Sequence, residues 1–402
     1  MFHECAGGVT APKGFTAAGV HSGIKKAKKD LALVYSSAPA KAFGVFTTSK
    51  VQAAPVLVCK QQLKRSSSFR AIVVNSGNAN ACTGERGWND AWTMVEGVAR
   101  EIGAKPAEVF VSSTGVIGQY LPMSKIESAI PMLISNLSAE GHVAAAEAIM
   151  TTDTFSKELA VGVRIDGVDV TIGGMAKGSG MIAPYMATML AFITTDVNIS
   201  DDLLRYSVKR AADRSFNRIT VDGDTSTNDM LLMLANGMAG NKEIQDPSDA
   251  AYQTFYDALE HLLVRLSKLI VLDGEGATKF VEIEVVGAAT EDVAVRAARS
   301  IANSSLVKTA MNGEDANWGR ILAAVGYSGI EFEPSAVEIF FGDVPILQRN
   351  YAIDFSEEAA KQVLSQKEIK ITVNLNQGKH TAAFWTCDLS KEYVAINANY
   401  RT

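Results

Sequence analysis

The sequence predicts an α/β fold with a smaller C-terminal α/β subdomain. Its 402 residues are more than one small core accommodates. Short apolar runs rich in β-branched and aromatic residues alternate with segments of helical periodicity. From about residue 276 onward, predicted strands and helices follow one another regularly. We therefore place a subdomain boundary near residue 276, with 276–402 as the C-terminal α/β subdomain.

The first part of the chain predicts one sheet with helices between its strands. A helix over 88–102 is indicated because Ala91, Met94, Val95 and Val98 share one face. Further helices are expected at 124–137 and 142–150, with a break at Pro131. The predicted strands are 31–35, 42–47, 55–59, 71–74 and 108–112.

The middle and last parts continue the α/β pattern. Asp166-Gly167 between two β-rich runs, 161–164 and 168–172, predicts a hairpin. It leads into 175–196, where glycines precede the apolar run 189–193, the pattern of a glycine loop before a buried strand. Helices are expected at 201–215, 250–269, 292–303 and 356–366, and strands at 217–221, 278–286, 336–341, 369–375, 381–387 and 393–402.

Composition excludes several classes of function. The net charge of -6 disfavours a general nucleic-acid-binding surface, and Lys25, Lys26, Lys28 and Lys29 are interpreted as a solvated turn. The four cysteines form no metal-binding pair, which argues against zinc and fits a reducing cytoplasm. The first residues show no secretory or transit signal, and 178–195 is too polar to span a membrane.

The sequence lacks the GxSxG motif of serine hydrolases, the HExxH motif of metalloproteases, and the nucleotide-binding motifs GxxxxGK[ST] and GxGxxG. Its five histidines are scattered, so a histidine base is unsupported. A threonine nucleophile needs no histidine. If the Ala187–Thr188 peptide is cut, the new α-amine of Thr188 becomes a base beside its own hydroxyl. Its reference pKa near ~8 leaves it substantially neutral at working pH.

Four polar segments are candidates for the rest of a site. The strand ending in Ser113-Thr114-Gly115 could aim a hydroxyl and an N–H at one oxyanion, although a plain turn is the alternative. The segment 75–84 is either a ligand loop or a turn capped by asparagines. The cluster 151–154 suits a helix end or a small-ligand pocket. The stretch 222–229 suits a polar loop supporting a site; its spacing does not fit a calcium loop.

Seven segments together carry a family resemblance, which covers essentially the whole chain. They are 7–15, 75–81, 113–115, 175–196, 222–229, 273–279 and 397–402. The chain resembles the bifunctional acetyltransferases of arginine biosynthesis, the ornithine acetyltransferase or glutamate N-acetyltransferase family. The match around Ala187-Thr188 is the most specific part.

The resemblance implies a layered α/β sandwich of the self-cleaving threonine-nucleophile acyltransferase type. The precursor would be cut between Ala187 and Thr188 into an α chain, 1–187, and a β chain, 188–402. Thr188 would take the acetyl group of N2-acetyl-L-ornithine and pass it to L-glutamate in a ping-pong cycle. Two α and two β chains would form a heterotetramer.

The same resemblance implies the roles of individual residues. Thr188, Thr114 and Gly115 would be catalytic, the last two by stabilising the oxyanion. The substrate-binding residues would be Thr151, Lys177, Thr188, Glu275, Asn397 and Thr402. No cofactor or metal is expected, and acetyl-CoA is left open as a co-substrate.

Two alternatives stay open at this point. One is a threonine-nucleophile aminopeptidase or amidase of related fold, in which water rather than glutamate resolves the acyl-enzyme. The other is an uncleaved amino-acid-binding protein whose glycine loop is only structural. No partner nucleic acid or membrane is expected for any of the three.

Overall fold

The computed structural model of the chain describes residues 2–183 and 189–399. The chain divides into two compact units. Among the described residues, the first contains those up to Asn217 together with Asp224–Ile270, and the second contains Arg218–Gly223 together with 271–399. Among the described residues, none of the helices is both long and apolar enough to cross a membrane.

The first unit consists of one large sheet and the helices that cover it. Its strands are β1 (Phe2–Cys5), β2 (Phe15–Val20), β3 (Leu31–Phe46), β4 (Phe69–Asn78), β5 (Val109–Val116), β6 (Lys157–Ile165), β7 (Val168–Lys177), β8 (Leu190–Thr195) and β9 (Met230–Ala235). Its helices are α1 (Ala54–Arg65), α2 (Gly84–Ile102), α3 (Met123–Ser135), α4 (His142–Ala148), α5 (Asp201–Asp213) and α6 (Ala250–Leu272), the last of which belongs to this unit up to Ile270.

The long strand β3 joins the two halves of this sheet. The order of the strands is β1-β6-β7-β8-β9-β3-β4-β5, and β2 also pairs with β3. The N-terminal part of β3 pairs with β2 and β4, and its C-terminal part, from Lys41, pairs with β9. Met175, Phe192 and Leu232 lie in the same apolar core as Val73 and residues of both halves. Burial of such side chains stabilises the layers by about 1.5–3 kcal/mol each.

The second unit has a five-stranded sheet with helices packed on it. The elements are β10 (Phe280–Ala288), α7 (Glu291–Asn303), α8 (Ser305–Asn312), α9 (Trp318–Gly326), β11 (Glu338–Phe341), β12 (Val344–Leu347), α10 (Glu357–Leu364), β13 (Glu368–Asn374), β14 (His380–Cys387) and α11 (Lys391–Asn399). The strand order is β12-β11-β13-β10-β14. Ile283, Ile371 and Phe384 of the sheet share a core with Ala297 and Ile301 of α7.

The α/β prediction is confirmed, and several elements match closely. The hairpin of β6 and β7 has both turn residues at positive φ, 48° at Asp166 and 82° at Gly167, as a type I′ turn requires. Helix α2 and strand β8 also fall where the periodicity and the apolar run predict them.

Three predicted strands are wrong. The run 55–59 lies in α1, where Pro55 occupies the first turn, which lacks intrahelical N–H partners. The residues 217–221 form a short 3-10 turn and a single bridge at Ile219. The described part of 393–402 is the helix α11, which buries none of its residues, so its apolar pattern marks no core face.

The break predicted at Pro131 is also wrong. Helix α3 continues through Pro131, which lies on the exposed side. Ile126, Ile130 and Leu133 are buried on the opposite side, and this packing holds the helix together despite one missing backbone hydrogen bond.

Candidate active site

Three of the predicted site residues meet around one buried ammonium group. Lys177 is the last residue of β7, and its side chain is buried. Its Nζ donates hydrogen bonds to Thr151 Oγ1 at 2.8 Å and to Thr114 Oγ1 at 3.4 Å. The structure therefore brings together Thr114, Thr151 and Lys177, which come from three separate segments of the sequence.

A buried carboxylate, Asp153, balances the charge of this cluster. It accepts hydrogen bonds from Lys157 Nζ, from the N–H of Gly178 and from the N–H of Thr151, at 2.8, 2.8 and 2.9 Å. Burial by itself would raise the pKa of Asp153, but the Lys177 and Lys157 ammonium groups and these hydrogen bonds lower it well below its ordinary value. Asp153 is thus ionised at neutral pH, and it fixes the backbone at Thr151 and at Gly178, the residue after Lys177.

Replacing Asp153 by asparagine is expected to change the pH dependence of stability. Because the folded pKa is lowered, the wild-type carboxylate stabilises the fold above the unfolded pKa near ~4 and loses that contribution as pH falls. Asp153→Asn should lower the free energy of unfolding by about 3–5 kcal/mol at pH 7, since two buried ammonium groups lose this counter-charge. On acidification the variant should lose less stability than the wild type. Urea unfolding at pH 7 and at about pH 2.5 measures both effects, because the contribution of the carboxylate is lost only below the unfolded pKa. Asp169→Asn, at an exposed ion pair, is the control and should change little.

The register of β7 and β8 relates this cluster to the predicted cleavage site. Lys177 pairs with Leu190, the first residue of β8, and Met189 precedes it. Thr188 is therefore two residues before a position that pairs directly with Lys177. Ala187 and Thr188 themselves lie outside the described residues, as does Thr402.

The predicted oxyanion turn lies at the end of β5 and requires glycine. Gly115 has φ of 131°, and a Cβ there would come within 2.3 Å of the carbonyl carbon of Gly77 on the paired strand β4. Neither the dihedral angle nor the space admits a side chain. The adjacent Thr114 is buried and directs its hydroxyl toward Lys177.

The asparagine-rich segment supports this turn from the side. Asn75 Oδ1 accepts a hydrogen bond from Ser113 Oγ at 2.6 Å, and Asn75 Nδ2 donates to the carbonyl of Asn78 at 2.9 Å. For Asn75 and Asn78, the interpretation of this segment as a turn capped by asparagine side chains therefore applies. These contacts hold the residue that precedes Thr114.

Two residues that sequence reasoning did not single out connect the turn to β8. Asn228 donates to the carbonyls of Ser113 at 2.8 Å and Ala79 at 2.6 Å. Asp229 accepts the N–H of Met189 at 2.8 Å. Both belong to the stretch 222–229. Its polar composition indicates a supporting loop but does not show which side chains hydrogen-bond to the neighbouring segments.

The prediction that the lysine cluster is a solvated turn is wrong for Lys25. Its ammonium donates to the carbonyls of Met150 at 2.6 Å and Lys29 at 3.0 Å, beside the segment that carries Thr151. Burial, partly offset by Asp30 and reinforced by the charge of Lys177, lowers the pKa of Lys25 to about 8. Lys26 and Lys28 are exposed, as predicted.

Two further predicted site residues pair within the second unit. Asn397 Nδ2 donates to Glu275 Oε2 at 2.8 Å, and Glu275 is buried. The next residue, Gly276, has φ of 69°, and a Cβ there would meet the backbone N of Tyr393 at 2.4 Å. Glycine thus permits α11 to approach the loop that carries Glu275.

A family model and two curated relatives of this chain share one description. The model of the ArgJ family matches residues 16–402. The arginine biosynthesis bifunctional protein ArgJ of Symbiobacterium thermophilum is 52% identical over 400 residues, which is 99% of each chain. The protein of the same name from Thermotoga neapolitana is 50% identical over 396 residues, 97% of this chain and 99% of its own.

Solved structures of similar proteins exist as well. That of the arginine biosynthesis bifunctional protein ArgJ from Bacillus halodurans is 43% identical and covers 46% of this chain and 97% of its own, with a TM-score of 0.44. Ornithine acetyltransferase from Mycobacterium tuberculosis, solved in complex with ornithine, is 41% identical and covers 46% of this chain and 98% of its own, with a TM-score of 0.42.

An α/β chain with these relatives is an acyltransferase of arginine biosynthesis. It belongs to the ArgJ family. The family resemblance inferred from the motifs is thereby confirmed over nearly the whole chain.

Proposed function

We propose that this chain cleaves its own Ala187–Thr188 bond and then transfers the acetyl group of N2-acetyl-L-ornithine to L-glutamate through an acetyl-Thr188 intermediate. The observation that carries the proposal is the buried cluster of Lys177, Thr151 and Thr114, at the strand position that pairs with the start of β8. The cluster offers hydroxyls and a cation next to the segment that contains Thr188. Family membership supports the choice of substrates.

Self-cleavage creates the base that the transfer needs. The Thr188 hydroxyl attacks the carbonyl of Ala187, the peptide nitrogen leaves as an amine, and water hydrolyses the resulting ester. The products are the carboxylate of Ala187 and the free α-amine of Thr188. This amine has a reference pKa near ~8, so a large fraction is neutral and able to accept a proton.

In the first half-reaction the Thr188 hydroxyl attacks the acetyl carbonyl of N-acetylornithine while the α-amine takes its proton. The Thr114 hydroxyl and the Gly115 N–H stabilise the oxyanion. Collapse of the tetrahedral intermediate breaks the amide C–N bond, the proton passes to the leaving nitrogen, and ornithine departs. We assign the substrate's carboxylate to Lys177 with Thr151, and its amine to Glu275 with Asn397, on the grounds of opposite charge. Thr402 completes the proposed substrate-binding set.

In the second half-reaction the α-amine of glutamate attacks the acetyl ester and regenerates Thr188. Both acceptor and donor are amino acids with an α-carboxylate, so one anion site serves both half-reactions. Acetyl-CoA would supply the same acetyl group to Thr188 if the chain is bifunctional. We further propose a cytoplasmic heterotetramer of two α and two β chains; the described thiols Cys5, Cys59, Cys82 and Cys387 are free, which suits a reducing compartment.

Lys177→Met should raise KM for both N-acetylornithine and glutamate by about 10- to 100-fold, because a charge-assisted hydrogen bond to each carboxylate is lost. Initial-rate kinetics with each substrate varied in turn measure the effect. The matched control is Lys157→Met, which removes the other ammonium on Asp153. That variant should lose stability while KM stays close to wild type. An unchanged KM in Lys177→Met would contradict the carboxylate assignment.

The decisive assay for the overall reaction incubates the purified protein with N-acetylornithine, with and without glutamate, and quantifies ornithine, N-acetylglutamate and acetate. The proposal expects N-acetylglutamate in amounts equal to the ornithine released. Acetate as the main product in the presence of glutamate would indicate the amidase alternative instead. A parallel incubation of glutamate with acetyl-CoA decides whether the chain uses the second donor.

A further inference from the structure

Asp229 and Met230 hydrogen-bond to the backbone N–H and carbonyl of Met189. The Met189 N–H donates to Asp229 Oδ1 at 2.8 Å, and its carbonyl accepts the N–H of Met230 at 3.1 Å. Strands β8 and β9 run parallel from this point, with Leu190 opposite Met230. Met189 is the residue that follows Thr188, so these bonds hold the chain on the carboxyl side of the proposed nucleophile.

Asp229 is fully buried, and its second oxygen has no hydrogen-bond partner among the described residues. Burial raises the pKa of this carboxyl well above its ordinary value, and the Met189 N–H and the Lys177 charge offset only part of that effect. The backbone of Asp229 is itself anchored, because its carbonyl accepts the N–H of Thr47 at 3.0 Å.

We propose that Asp229 is a positioning residue for acyl transfer: its buried carboxyl group accepts the Met189 N–H and thereby fixes the backbone next to Thr188. This inference rests on the proposed function of Thr188. Asp229 touches neither the substrate nor the reacting atoms in this role. It acts through the backbone of Met189.

The test compares Asp229→Asn with Asp229→Leu. Asparagine keeps an acceptor oxygen for the Met189 N–H in a side chain of similar shape, so it should keep kcat within about fivefold of wild type. Leucine keeps the volume but leaves the Met189 N–H without its acceptor, so kcat should fall by about 10²-fold, as expected for a misplaced reacting group. KM for N-acetylornithine should stay near the wild-type value in both variants. Rates are expressed per cleaved chain, determined by intact mass.

Asp196→Leu is the matched control. Asp196 is buried just beyond the other end of β8 and accepts the N–H groups of Thr171 at 2.8 Å and Lys13 at 3.0 Å. Its loss should reduce stability without lowering kcat of the folded enzyme. If Asp229→Leu does not fold, Asp229→Ser replaces it, since a serine leaves room for a bridging water, and it should show an intermediate loss of kcat.

Two results would overturn the inference. One is an asparagine variant as inactive as the leucine or serine variant, because an acceptor oxygen for the Met189 N–H would then not be what acyl transfer requires of this side chain. The other is a fall in kcat for Asp196→Leu equal to that for Asp229→Leu, because that is a general effect of destabilising β8. Wild-type protein without acetyl transfer would instead overturn the proposed function, and with it the role assigned to Asp229.

Discussion

Thr188→Ala is expected to leave one uncut chain of 42.9 kDa where the wild type gives two fragments, and to reduce acetyl transfer by at least about 10⁴-fold. Alanine removes both the hydroxyl that attacks the Ala187 carbonyl and the nucleophile that carries the acetyl group. Denaturing electrophoresis with intact-mass measurement follows the cleavage, and ornithine release follows the transfer. This is the largest effect that the proposed mechanism predicts.

The control for this variant is Thr188→Ser, which keeps a hydroxyl and the same backbone atoms. It should still be cut, more slowly, and should retain measurable transfer. An alanine variant that is cut between 187 and 188 would show that another group, or a contaminating protease, breaks the bond. Equal activity of the alanine variant and the wild type would remove Thr188 from the mechanism.

Thr114→Val is expected to lower kcat by about 10²–10³-fold with little change in KM, because an oxyanion-hole donor acts mainly in the transition state. Valine preserves the shape of the buried side chain and removes the hydroxyl that lies 3.4 Å from Lys177 Nζ. Steady-state kinetics with N-acetylornithine measure both constants, and urea unfolding checks that the fold is retained.

Thr114→Ser restores the hydroxyl without the methyl group and should recover most of the lost kcat. A change confined to KM in the valine variant would assign Thr114 to ground-state binding. Slower self-cleavage in the same variant is also expected, since the ester-forming step develops an oxyanion too. A cleavage rate unaffected by Thr114→Val would indicate separate oxyanion sites for the two reactions.

The sequence predicts the α/β class, most helices and the β6–β7 hairpin because each depends on local patterns. Periodicity places α2, and Asp-Gly sets the turn of the hairpin. The prediction from local pattern fails at α1 and α11. The apolar runs there are too short for their length or periodicity to distinguish a strand from a helix. Packing against the rest of the chain decides such segments.

The sequence also names part of the candidate site. The resemblance named Thr114, Thr151 and Lys177, and the structure brings these three together. No local pattern indicates that Asp153 compensates the charge of Lys177, or that Asp229 accepts the N–H of Met189, because these contacts join residues that are distant in sequence. Such roles depend on burial and on strand register, which only the folded chain defines.

Trapping the acetyl-enzyme intermediate shows whether Thr188 carries the acetyl group. Wild-type enzyme is mixed with N-acetylornithine in the absence of glutamate, quenched in acid and analysed by intact mass and peptide fragmentation. The proposed mechanism requires that the fragment 188–402 gains one acetyl group, located on the side chain of Thr188, and that adding glutamate before the quench removes it. An unmodified fragment during active turnover, or an acetyl group on another residue, would contradict it.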